Sequence, residues 1–275
     1  MESIKELRER LQKEKVAPQG WRRPLGYYAL QRFPSIYITR FLLPTRVTPN
    51  QITMAGFLLG LIGCWFVLQW PWHLKLIGIG LLYLNVLFDK VDGELARYKK
   101  IYSLKGIYLD YLNHLLIPPL FFLALTIGIV PFSLIDPAIL LSAGVLAAFS
   151  MMVLRVQAHL PEIIFIKKYL PHTELFSLPL HENSLAAIKK ARPVFARALW
   201  LLHHLQEHFL HILFFAVVFA CERLFLRDFL FHPIATNFIL FFAAILFFFV
   251  IENTTKGWFT IEAAVTSRRF PTNVG

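Results

Sequence analysis

The chain has 275 residues, of which 57% are hydrophobic and 16% charged, and its mean hydropathy is positive. That composition excludes an ordinary soluble domain and points to an all-α integral membrane protein. Lys and Arg outnumber Asp and Glu by 28 to 17, an excess that cytoplasmic loops and anionic headgroups account for without a nucleic-acid partner.

The first stretch, ESIKELRERLQKEK, is charged and amphipathic, so no cleavable signal peptide is expected. The next, PLGYYALQRFPSIYITRFLL, alternates aromatic and aliphatic residues with Arg32 and Arg40 and reads as an interfacial helix. Residues 1–47 therefore form a cytoplasmic and interfacial segment, and residues 48–275 a transmembrane domain.

A spanning helix needs roughly 20 mainly apolar residues. Six segments qualify, at about 51–70, 73–95, 106–131, 136–157, 208–227 and 234–256. The polar insertion at about 158–206 is expected to be a cytoplasmic loop broken by Pro161, Pro171, Pro179 and Pro193, with a helix starting near Asn183. Ten basic residues precede the first span, four lie in or beside 97–105, seven between Arg155 and Arg197, and three after 255. The opposite loops hold Lys75, Arg223 and Arg227, and Lys90 falls inside the second span. This bias places both termini and the loop after span two in the cytoplasm. The two cysteines, Cys64 and Cys221, sit in apolar runs and form neither a disulfide framework nor a CxxC metal site.

The chemistry concentrates around the junction of spans two and three. The sequence there runs Asp89, Asp92, Gly93, Ala96, Arg97, then after eight residues Gly106, Asp110 and His114. Ionisable groups at membrane depth are costly and mark functional sites. At 100° per residue the first five lie within about 140° of arc, and Gly106, Asp110 and His114 recur every four residues on one stripe. Two antiparallel helices would face each other across one polar pocket. Its carboxylates would repel without a cation between them, and their oxygens suit Mg²⁺ or Mn²⁺, with a substrate phosphate completing the shell.

These residues resemble the CDP-alcohol phosphatidyltransferase signature, D-x2-D-G-x2-A-R-x8-G-x3-D-x3-D, and meet every position but the last, where His114 stands. The six-span layout, the interfacial helix, and Thr48-Pro49-Asn50 with Thr53 extend the likeness. The resemblance implies a homodimer in a bacterial cytoplasmic membrane, with a cytoplasm-facing site and Mg²⁺ or Mn²⁺ holding the donor diphosphate. It implies Asp89, Asp92 and Asp110 as metal ligands. Asp92, Gly93, Ala96, Arg97, Gly106, Thr48 and Asn50 would then lie near the substrate. His114 replaces the residue expected to activate the acceptor hydroxyl. Either it is the base, for which imidazole is suited near neutral pH, or turnover is lost and the protein only binds nucleotide lipids. The intact remainder of the motif favours the base. The implied activity, in phospholipid biosynthesis, transfers a phosphatidyl or phosphoalcohol group from a CDP-linked donor, CDP-diacylglycerol in type, to an alcohol and releases CMP.

Competing readings are weaker on their own terms. An intramembrane prenyltransferase would carry more spans and a second Asp-rich motif, and a cation transporter would give the Gly-x-x-Ala-Arg spacing no purpose. Arg155, at the end of span four, either forks onto a substrate phosphate or snorkels; Arg40, Arg46 and Lys105 pose the same choice with snorkelling favoured. The cluster His203, His204, His208 and His211 contains His204-x-x-Glu207-His208, an inverted zinc-protease pattern that three residues do not establish. The Phe-rich runs at 214–219 and 238–249 read as lipid-facing or helix-facing surface.

Overall fold

The structure is a computed structural model that describes residues 2–13, 27–169, 205, 207–225 and 231–266. Among these residues there are helices and turns and no strand. Helix α1 is Ile4–Leu11. A π-helical turn, Tyr27–Arg32, leads into α2, Phe33–Leu42. The long helices follow: α3 Pro49–Leu68, α4 Trp72–Lys99, α5 Leu104–Ile129, α6 Pro137–Tyr169, α7 His208–Phe225 and α8 Phe231–Thr266.

Local chemistry fixes most of these boundaries. Ser3 and Glu6 form a capping box on α1, and the serine contacts hold the Glu6 carboxyl below its usual range. Thr48 caps α3 with Gln51 in the same way, and Pro49 opens that helix. Helix α4 stops at Lys100, whose left-handed backbone (φ 54°) lets the Ile101 amide reach the Ala96 carbonyl at 3.1 Å. Ser103 caps α5 by accepting from the Gly106 amide at 3.0 Å. Asp136 does the same for α6 through the Ala138 amide at 2.8 Å.

Several long apolar helices make this a multi-pass membrane protein. Among the described residues four stretches are long and apolar enough to cross: Pro49–Leu68, Leu104–Phe132, Pro137–Leu160 and Asn237–Thr260. The expected spans at 73–95 and 208–227 do not meet that criterion. Helix α4 carries Lys75, Asp89, Lys90, Asp92, Glu94 and Arg97, and the apolar part of α7, His208–Cys221, is short. The expected loop from about 158 is also corrected, because α6 runs on through Pro161 to Tyr169. A proline inside a helix removes one hydrogen bond and need not end it. Helix α8, at 36 residues, is about 54 Å long and exceeds the ~30 Å hydrocarbon thickness. The expected helix onset at Asn183, and His203 and His204, lie outside the described residues.

Helices α4 and α5 each pack tightly on α3 and meet one another through side chains, and α6 joins α5 to α8. The α3–α4 seam is made of backbone. A Cβ on Gly78 would lie 2.6 Å from the Gly63 carbonyl oxygen, and one on Gly63 would lie 2.9 Å from the Gly78 oxygen. Such glycine contacts replace the hydrophobic drive that lipid surroundings remove. Buried Asn85 then ties three helices together, its amide donating to the Gly56 carbonyl and to Asn113 Oδ1, each at 2.8 Å. At the far end Lys75 is buried, and its ammonium donates to the carbonyls of Val67 at 2.9 Å and Gly128 at 3.1 Å, near the C-terminal ends of α3 and α5. The Phe-rich segments serve both expected purposes. Phe214, Phe215 and Phe242 make edge-on ring contacts inside the core, whereas Phe241, Phe247 and Phe248 point outward.

The interfacial segment is amphipathic in an inverted sense. Phe33, Tyr37 and Phe41, at i, i+4 and i+8, form its outer stripe, while Arg32, Ser35 and Thr39 are buried against α4. Aromatic residues facing outward and polar residues facing inward suit a helix lying at a lipid surface.

Candidate active site

The site lies where the last turns of α4 meet the first turns of α5. Their antiparallel register, set one turn deeper by the Asn85–Asn113 contact, brings Asp89 opposite Asp110 and His114. His114 Nε2 lies 3.3 Å from Asp89 Oδ1 and 3.5 Å from Asp110 Oδ1. One potential ligand atom from each of these three residues falls within 4.8 Å of the other two, the grouping among the described residues that is able to hold a metal ion. The His114 side chain remains one-third exposed, so the group is open to small molecules. The chemistry of the set fits a divalent cation: two carboxylates supply hard oxygen donors, and an imidazole can join them for Mn²⁺ more readily than for Mg²⁺.

Asp92 stands apart from this trio. Its Oδ2 accepts a 2.7 Å hydrogen bond from Thr53 of α3, whose hydroxyl also reaches the Pro49 carbonyl. The signature helix is thereby tied to α3 at its first acidic turn. Lys90 pairs with Asp89, and both are largely buried. That contact joins sequence neighbours, which usually diverge on a helix. The signal for it was the lysine itself, since an ammonium inside a bundle needs an anionic partner.

The remaining expected residues divide between the pocket and its scaffold. Gly106 is where Asn50 approaches: a Cβ there would meet Asn50 Oδ1 at 2.6 Å, while Asn50 Nδ2 donates to Ser103 Oγ at 2.8 Å. Asn50 and Gly106 thus lock the start of α3 to the start of α5. Thr48 is engaged as the α3 cap, and Ala96 as the carbonyl that closes α4. Gly93 leaves room for Arg97, whose Nη1 would lie 3.3 Å from a Cβ at 93. Arg155 reaches in from α6. Its guanidinium lies 5.8 Å from the Tyr111 ring centre, and its charge acts on both Asp110 and His114. Lys105 is exposed.

The zinc pattern finds no support among the described residues. His211 is wedged between Phe122 and Phe242 with Nε2 against the Leu205 carbonyl, and His208 meets Phe121 edge-on.

Sequence reasoning passed over Glu94, at one of the two unspecified positions between Gly93 and Ala96. It is fully buried and accepts from four residues of the N-terminal segment. Gln12 Nε2 donates at 2.8 Å, Ser35 Oγ at 2.7 Å, Thr39 Oγ1 at 2.6 Å and Arg32 Nη1 at 3.2 Å. A carboxylate inside a helix that also carries Asp89 and Asp92 was the available signal.

Comparison with known proteins adds two findings. A family model described as CDP-alcohol phosphatidyltransferase matches residues 46–267. The bifunctional IPC transferase and DIPP synthase of Thermococcus kodakarensis is 45% identical over 69 residues, a quarter of this chain. The match spans 15% of that relative's length.

Proposed function

Because this chain belongs to the CDP-alcohol phosphatidyltransferase family, whose members use a CDP-alcohol donor and an alcohol acceptor, we propose that it transfers a phosphatidyl or phosphoalcohol group to an alcohol in phospholipid biosynthesis, releasing CMP. The donor is of the CDP-diacylglycerol type. The observation that carries this reading is the Asp89–His114–Asp110 group, set between two helices that carry the rest of the signature in register. Asp89 and Asp110, with Asp92 one turn along, would hold Mg²⁺ or Mn²⁺. When bound, the cation screens the negative charge of the donor's diphosphate.

His114 takes the proton of the acceptor hydroxyl. With Nε2 turned to the carboxylates, the neutral ring is oriented as the Nε2–H tautomer, which leaves Nδ1 as the basic nitrogen. The acceptor oxygen forms a bond to the alcohol-linked phosphorus, the bond from that phosphorus to the bridging oxygen breaks, and CMP departs with the electron pair. Arg97, Gly93 and Ala96 lie beside the diphosphate path, and Arg155 binds a phosphate of donor or acceptor from α6. Thr48, Asn50 and Gly106 shape the rim.

The same reading has α4 and α7 crossing with the four apolar spans, both termini and the site on the cytoplasmic side, and two chains forming a homodimer. Support for α4 crossing comes from its length, about 42 Å for 28 residues, and from partners found inside the protein for Lys75, Asp89, Lys90 and Glu94. The test is CMP release by purified full chain supplied with CDP-diacylglycerol, Mn²⁺ or Mg²⁺ and a panel of alcohols, with Asp92→Ala as control. Metal-dependent release that Asp92→Ala abolishes supports the transferase; CDP binding without release in any combination would leave a non-catalytic lipid-nucleotide binder.

A further inference from the structure

We propose that the N-terminal helix α1 orients Arg97 for the donor diphosphate, with Gln12 and Glu94 as positioning residues; this rests on the transferase reading above. The family match begins at residue 46, yet Leu11, Gln12, Arg32, Ser35 and Thr39, all before it, contact the signature helix. Glu94 and Arg97, three apart, lie on the same face of α4. Two consecutive residues at the end of α1 grip both. The Leu11 carbonyl, one of those a helix end leaves without an intrahelical partner, accepts from Arg97 Nε at 3.0 Å. Gln12 donates from Nε2 to Glu94 and to the Arg32 carbonyl, each at 2.8 Å.

The consequence is a guanidinium held by one corner. With Nε engaged, the edge that carries the two terminal nitrogens lies beside Gly93, Nη1 3.3 Å and Nη2 3.9 Å from where its Cβ would be, and Nη2 is buried with no hydrogen-bond partner among the described residues. A buried, unpaired guanidinium nitrogen is costly, and an anion that accepts from it removes that cost. The ligand that suits this edge is a nucleoside diphosphate, whose oxygens match the guanidinium fork. Glu94 supplies the other half of the device. Its carboxylate draws in Gln12, Arg32, Ser35 and Thr39, which fixes α1 and α2 on α4. Two further contacts dock α1: fully buried Leu7 packs with Ile36 and Tyr98, and Arg8 lies 4.7 Å from the Phe33 ring centre.

The experiment measures CDP binding, with Mn²⁺ present, to the full chain in nanodiscs by titration calorimetry. Two variants loosen α1 without touching the diphosphate edge: Gln12→Leu removes the donor to Glu94, and Leu7→Asp undocks the helix at its other end. Each is expected to weaken CDP binding more than threefold, and the loss should shrink below threefold when Arg97→Lys is already present, since a lysine has no Nε–H for α1 to hold. CDP affinity within threefold of wild type in whichever variant folds overturns the inference. So does a loss of equal size in the Arg97→Lys background, which would reveal general loosening. If wild type itself binds no CDP, the transferase reading fails and takes this inference with it, an outcome separate from variants that bind as well as wild type.

Discussion

His114→Ala separates the two jobs an imidazole can do between Asp89 and Asp110. As the base, its loss should lower kcat by about 10²–10⁴-fold, the usual contribution of a positioned proton acceptor. That corresponds to roughly 2.7–5.4 kcal/mol on the barrier. The structure adds a second consequence with its own sign. Ligand atoms of Asp89 and Asp110 lie no more than 4.8 Å apart. Without the ring between them, two carboxylates at that distance repel by ~3.5 kcal/mol at an effective dielectric constant of 20. Binding a cation relieves the repulsion, so apparent metal affinity should be kept or tightened while kcat collapses. The assay is CMP release from CDP-diacylglycerol over a Mn²⁺ and Mg²⁺ concentration series. His114→Asp, which restores an acceptor, should keep measurable transfer. Weakened metal affinity with activity rescued by excess metal would make His114 a ligand, and full activity in His114→Ala would remove it from catalysis altogether.

Other perturbations test the frame that holds the site. Thr53→Val removes the hydrogen bond to Asp92 and should cost about 1.5–3 kcal/mol, as for bonds to charged groups, read as a lower thermal midpoint or a lower kcat/KM. Asn85→Leu leaves Asn113 without its 2.8 Å partner in a buried position and should destabilise by about 1–3 kcal/mol in chemical unfolding from detergent. Gly78→Leu drives a side chain into the Gly63 carbonyl and should prevent close α3–α4 contact, giving a drop of about 3 kcal/mol or more, whereas Gly80→Ala, with open space around it, should be silent. Chelation by EDTA should stop transfer, and Mn²⁺ or Mg²⁺ added back should restore it; activity that persists in EDTA would refute the metal-dependent reading.

The primary structure made the site legible because its chemistry repeats at helical spacing on two adjacent helices. Asp89, Asp110 and His114 could be placed on facing stripes from their numbers alone, and the fold brings them together. Asp92 was placed on the same face but turns to Thr53, a partner 39 residues away on α3 that periodicity cannot choose. The Glu94 clamp was hidden for a related reason. Its donors come from positions 12, 32, 35 and 39, and nothing in their spacing shows that an aromatic-rich interfacial helix buries its polar side. Thr48, Asn50 and Gly106 were read as neighbours of the substrate; in the structure Thr48 caps α3, and Asn50 and Gly106 let it meet α5. Hydropathy counts length and charge, so it separated the four apolar spans cleanly. It could not say that the charges of α4 find partners within the protein.

Lys75 has a history that the finished fold conceals. The Gly128 carbonyl that it binds lies 53 residues further along the chain. At a synthesis rate of 5–20 residues per second, about 3–10 s pass between the appearance of the ammonium and the arrival of that carbonyl. During this interval the charge at the end of the bundle remote from Asp89 must be kept by water, lipid phosphates or the insertion machinery. Completion of α5 then withdraws it into the protein. Lysine-reactive labelling of nascent chains stalled before and after residue 128 should register that withdrawal as a loss of reactivity at position 75, and so time the docking of the third long helix onto the first two.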